Sequence, residues 1–188
     1  YDSSLVAYYQ FNSNSSFAQD RVGIKHASYL GNASTIYSTA PVGGGESYRL
    51  TVSQAGQEVF GSTELKADFG TVHPNGEVVA TRLNVLPDSL PLSTPSAGQY
   101  WIINNYGAGN FSSLDSLILK PKLGVPVGSV SNMRLYARGE NEHLNNWVNK
   151  CQAVSKSEGS YKFDNSCSIT NTGQFFVQST TSDVIRRE

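Results

Sequence analysis

Three histidines, two cysteines and fifteen carboxylates are the groups from which this chain could build a reactive centre. His26, His73 and His143 stand in unrelated contexts, form no HExxH or HxH pair, and the cysteines lack CxxC spacing, so the zinc-binding patterns are missing. There is no GxSxG nucleophile elbow, and the glycine run VGGGES is not followed by the Lys-Ser/Thr of a phosphate cradle. The carboxylates are dispersed. Glu64, Asp68, Glu77 and Glu142 sit in polar, turn-adjacent stretches where solvated charge is the ordinary state. The pattern predicts no catalytic residues and ranks a polysaccharide-active enzyme third among the readings. No DxDxDG loop occurs, which leaves Asp2 and Asp20 as the candidate ligands of a structural calcium and no other cofactor.

The aromatic and amide side chains carry more information. A sugar ring stacks its C–H face on Tyr or Trp, while its hydroxyls seek amide and carboxylate partners, so a surface holding both suits a glycan at little net charge. QYWIINNYGAGN places Tyr100, Trp101, Asn104, Asn105, Tyr106 and Asn110 together, and Trp147 lies among Asn145, Asn146 and Asn149. Trp101 shares a strand face with Ile103, which marks it as core. The candidate ligand-binding residues are therefore Tyr100, Asn105, Tyr106, Asn110 and Trp147.

The elements that must position these residues read as strands. Apolar and polar residues alternate, and Gly, Pro, Asn or Asp interrupts almost every apolar run. In ELKADFG, Leu65, Ala67 and Phe69 share a face; after HPNG, EVVATRLNVL places Val79, Thr81, Leu83 and Val85 on a common face. Asn75-Gly76 between them predicts a tight hairpin. Similar runs elsewhere give about ten to twelve strands, an all-β antiparallel sandwich of jelly-roll or Greek-key type. The one helical spacing, Leu144, Trp147, Val148 and Cys151, falls among poor helix formers and predicts at most one short helical turn before a strand near Trp147.

Charged residues make up 15% of the chain and the net charge is −1, which gives no basic field for nucleic acid. No apolar run is long enough to span a bilayer, so membrane insertion is not expected. Cys151 and Cys167 bracket a hairpin-like KSEGSYKFDNS, and a bridge there would close about 15 residues and contribute about 3 kcal/mol. Such a bridge implies an oxidising, secreted or cell-surface location. Residues 1–179 read as a single sandwich and 180–188 as a linker or frayed end, the pattern of a module within a longer protein.

Two segments resemble known families. LVAYYQFNSNSSFAQDRVGIKHASYLGNAS is similar to the opening of the LamG, or concanavalin-like, domain, and places a LamG-like segment at 1–52, packed into the sandwich. From PNGEVVATRLNVLPDSLP through YWIINNYG to GQFFVQS, the chain resembles a β-rich accessory module of large secreted Bacteroidota proteins, cargo of type IX secretion. That resemblance implies an extracellular module covalently linked to neighbouring domains. Its expected partner is a polysaccharide or cell-surface glycan, its expected role noncatalytic binding or adhesion. The alternative is a structural spacer or assembly domain with no glycan ligand.

Overall fold

The computed structural model describes residues 6–7, 9, 17–18, 20, 22–31, 44–92, 96–109, 113–121, 129–140, 142, 146–169 and 172–181. Asp2, Asn110 and, of the predicted helical spacing, Leu144 lie outside the described residues. The chain divides into two units, Tyr1–Ser38 and Thr39–Glu188.

In the first unit a two-stranded ladder joins β1 (Phe17–Ala18) to β2 (Ala27–Ser28). Of the predicted LVAYYQF strand, Tyr9 forms a single bridge to Asp20. The turn between β1 and β2 is built by Asp20, whose two carboxylate oxygens accept the amides of Val22 at 2.9 Å and Lys25 at 3.1 Å.

The second unit holds eleven strands among its described residues. They are β3 (Gly45–Val52), β4 (Gly56–Val59), β5 (Leu65–Phe69), β6 (Gly76–Leu83), β7 (Tyr100–Asn105), β8 (Leu114–Leu119), β9 (Met133–Arg138), β10 (Val148–Gln152), β11 (Ser155–Ser157), β12 (Ser160–Asp164) and β13 (Gly173–Ser179). They form a six-stranded sheet of order β10-β9-β13-β7-β6-β3 and a five-stranded sheet of order β11-β12-β8-β5-β4, every pair antiparallel. The two sheets pack face to face as a β-sandwich, the predicted fold class. Three 3₁₀ turns, Gly61–Thr63, Val130–Asn132 and Asn165–Cys167, are the helical elements among the described residues.

Alternation explains the core. Leu65, Ala67 and Phe69 of β5 and Leu117 and Leu119 of β8 point inward from the five-stranded sheet. Val78, Ala80, Trp101, Ile103, Phe175 and Val177 meet them from the six-stranded sheet. The inward positions of Leu65, Ala67, Phe69, Trp101 and Ile103 are those that alternation predicts.

Asn75-Gly76 is a correction. Asn75 does adopt the left-handed conformation, at φ 49°, that the turn signal foretells. Yet β5 and β6 are not a hairpin: β5 pairs with β4 and β8, and β6 with β3 and β7 in the opposite layer. The chain crosses between sheets because both strands carry an apolar face that needs a layer to bury against, and each finds it in the other. The face shared by Val79, Thr81, Leu83 and Val85 is accordingly the outer one; Val78 and Ala80 fill the core.

Cys151 and Cys167 are bridged, with Cα atoms 5.0 Å apart. The predicted hairpin between them is β11–β12, turning at Glu158 and Gly159, both at positive φ. Cys151 lies in the six-stranded sheet, whereas Cys167 follows the last residue of β12 in the five-stranded sheet, so the bridge ties the layers together. Reducing it, or replacing both cysteines with serine, should cost about 3 kcal/mol in the chain-entropy model. A thermal melt should fall by roughly 6–12 °C; an unchanged melt would show that the layers hold without the staple. Among the described residues no helix is long and apolar enough to cross a membrane.

Candidate functional site

Register assigns the outer face of the six-stranded sheet residue by residue. Glu77, Val79 and Thr81 of β6 point outward, and beside them stand Thr51, Arg49 and Ser47 on β3. On the other side Val79 meets Asn104 and Thr81 meets Ile102 of β7. The ladder runs one residue past β7, where the Tyr106 amide donates to the Glu77 carbonyl at 2.8 Å, and alternation from Asn104 carries Tyr106 to the same face. The corner so formed has an aliphatic floor at Val79, an aromatic edge at Tyr106 and polar groups around both.

Those polar groups are ordered. Arg49 pairs with Glu77 at 3.5 Å, the hydroxyls of Ser47 and Thr81 are 2.9 Å apart, and the Asn104 amide donates to Glu140 at 3.1 Å. Tyr106 is 68% exposed, more than any other aromatic side chain described. Its loop is rigidly built. The Asn105 side chain accepts from the Gly107 amide at 2.8 Å and donates to the Gly109 carbonyl at 3.3 Å, while the Gly109 amide donates to Pro74 at 2.7 Å. A Cβ on Gly107 would lie 2.3 Å from the Pro74 carbonyl oxygen, so only glycine lets this loop lie against the His73–Gly76 turn. Asn105 therefore organises the loop, and Tyr106 is what the loop presents.

Tyr100 and Trp147 are placed differently. Each is 7% exposed, and with Leu83, Ile102, Tyr136 and Phe176 they form a second apolar cluster on the outer side of the same sheet. Val85 and Leu90 pack on this cluster from the segment that follows β6. The expectation that Tyr100 lies at the surface is thus corrected: its side chain does point away from the main core, but the face it points to is itself covered. Burial pushes the Tyr100 phenol up from its ordinary value, with Arg138 opposing and Asp88 reinforcing the shift. Burial likewise raises Tyr136, against the opposing charge of Arg134.

A buried polar network fixes that cover. Arg138 lies over the Trp147 ring at 4.1 Å, forms an ion pair with Asp88, and donates to Gln174 Oε1 from Nε at 3.0 Å and from Nη2 at 2.8 Å. Gln174 in turn donates to the carbonyls of Glu140 and Glu142, each at 3.0 Å. Gln178 donates to the Leu92 carbonyl at 2.9 Å. Tyr100 and Trp147 are therefore parts of a packed layer, and Tyr106 stands apart from both.

Among the described residues no group of three His, Cys, Asp or Glu side chains is placed to hold a metal ion. Asp20 is only 3% exposed, and both its oxygens accept backbone donors, the arrangement of a turn-forming carboxylate. Sequence reasoning grouped Asn104 with Tyr106 but missed Arg49 and Glu77 as its companions. The signal was present in the common face of Val79 and Thr81, which includes Glu77 by the same alternation. Comparison with protein-family models, curated proteins and solved structures returned no match.

Proposed function

We propose that this chain is a noncatalytic extracellular module that binds a polysaccharide or cell-surface glycan on the outer corner of its six-stranded sheet. The observation that carries this reading is Tyr106, exposed on a loop whose backbone is locked before any ligand arrives. A preformed aromatic platform loses little entropy on binding and accepts the C–H face of a pyranose. Arg49, Glu77, Asn104, Ser47 and Thr81 supply donors and acceptors for hydroxyls at the same level. Secretion, attachment to neighbouring domains and the likeness to Bacteroidota accessory modules belong to this reading, and the disulfide supports the compartment.

Tyr106→Ala should retain the fold and weaken retention on an immobilised polysaccharide at least about tenfold, a loss of about 1.4 kcal/mol. Affinity electrophoresis across neutral and acidic plant, algal and microbial polysaccharides measures this. If the parent chain is retarded by none of them, the glycan reading fails. The second reading, a structural spacer without a glycan ligand, is favoured by one specific observation: Tyr100 and Trp147, two of its aromatic candidates, are consumed by internal packing.

A further inference from the structure

Among the described residues four strands of the sandwich lie at sheet edges: β3 and β10 in the larger sheet, β4 and β11 in the smaller. An edge strand offers unpaired backbone groups to any other strand, and proteins blunt such edges by shortness, bulges or charge. Three of the four are blunted. β4 has four residues and β11 three; β10 is bulged between Asn149 and Cys151, with Lys150 in the bulge and Cys151 tied to the other layer. β3 is the exception. It runs eight residues in unbroken register with β6, contains no proline, and is exposed apart from Leu50, which is half-buried, and Val52, which is buried.

We propose that β3 is a self-association edge, on which two copies of this chain pair β3 against β3, antiparallel, about a two-fold axis through Tyr48. The register follows from geometry. A two-fold axis perpendicular to the sheet keeps every side chain on its own face, so the axis must pass through a residue, not between two. Overlap of all but one residue of Gly45–Val52 leaves Tyr48 or Arg49 as that residue. Arg49 would face its own charge across the axis, which is unfavourable. Tyr48 instead faces a second Tyr48, a favourable aromatic cross-strand pair, and sets Ser47 opposite Arg49 and Glu46 opposite Leu50. The charge of Arg49 is already countered by Glu77.

Tyr48 is prepared for this contact. It is 40% exposed, and its ring lies on Gly61, where an added Cβ would come within 2.6 Å of the ring carbons. Little side-chain freedom remains to be lost on pairing. The product is one continuous twelve-stranded sheet whose two outer faces point the same way. The two Tyr106 corners then lie side by side on one surface, each with Arg49 at the shared seam, which converts a weak single contact into a bivalent one. The pairing itself does not depend on what, if anything, those corners bind.

Sedimentation of the full chain from micromolar to submillimolar concentration should show a shift from monomer to twice the monomer mass, abolished by Tyr48→Lys. Under oxidising conditions Tyr48→Cys should form an intermolecular disulfide, because the two thiols oppose each other, whereas Ser47→Cys should pair without crosslinking. A parent chain that stays monomeric throughout overturns the proposal, as do dimers that survive Tyr48→Lys or equal crosslinking by both cysteines. The parent measurement stands even if a variant fails to fold.

Discussion

Trp101→Ala is expected to lose about 4 kcal/mol, the range found when a large aromatic is removed from a packed core. Trp101 is fully buried between the layers, and its indole N–H donates to the Thr63 carbonyl at 2.8 Å. That bond runs from β7 of one sheet to the 3₁₀ turn that precedes β5 of the other, so the ring both fills volume and fixes the layer spacing. The melting temperature should fall by roughly 8–16 °C. Because a domain's whole stability is about 5–15 kcal/mol, this loss removes from about a quarter to most of it. Trp101→Phe separates the two contributions: it restores most of the volume but leaves the Thr63 carbonyl without its donor, a cost of about 1–2 kcal/mol. Equal losses for the two variants would show that the hydrogen bond, not the packing, dominates.

Arg138→Ala should follow closely, at about 3 kcal/mol, because it strands partners inside a covered layer. Gln174 Oε1 loses two donors and the Trp147 ring loses its cation, while Asp88, whose side chain is 46% exposed, recovers part of its cost by hydration. The low end of the range applies for that reason. The loss should also be local in character. Between Asn84 and Leu92 the cover is joined to the sheet mainly through side chains, so amide exchange there should accelerate before the core strands respond. A double-mutant cycle with Asp88→Ala measures the ion pair itself. Additive effects would mean that Arg138 acts through Gln174 and Trp147 alone.

The parts of the fold that were legible in the sequence are those where one strand face meets solvent. Leu65, Ala67 and Phe69 alternate with Lys66 and Asp68 because these two outward side chains reach solvent, Lys66 fully and Asp68 in part, and period two then reports the inner face directly. The run YWII of β7 carries no such contrast. Its strand is buried on both sides, by the core beneath and by the aromatic layer above, so parity places Tyr100 away from Trp101 without revealing that the outer side is covered. The strand β4 was not legible, since GQEV is short and polar and becomes a strand only by pairing with β5.

The candidate site divides on the same ground. Tyr106 stands within the Asn-Gly-rich turn signal NNYGAG and emerges exposed, while Trp147 sits among asparagines yet is buried under Arg138 and against the Phe176 ring, whose centroid lies 4.6 Å from its own. Arg138 and Asp88 are fifty positions apart, and no local spacing could have announced their pairing. The sheet choice of β6 is a similar case: Asn75-Gly76 encodes a turn, and which strands flank it as partners is decided by long-range burial.

The position of β13 sets the order in which this molecule can be completed. It is the last strand among the described residues, yet it lies between β7 and β9 near the middle of the larger sheet. Until residues 173–179 have left the ribosome, β6–β7 and β9–β10 are separate ribbons, each with an inner edge that lacks its neighbour. Closure therefore waits for the end of the segment, and the contacts that close it span most of the chain, which makes folding slow and late.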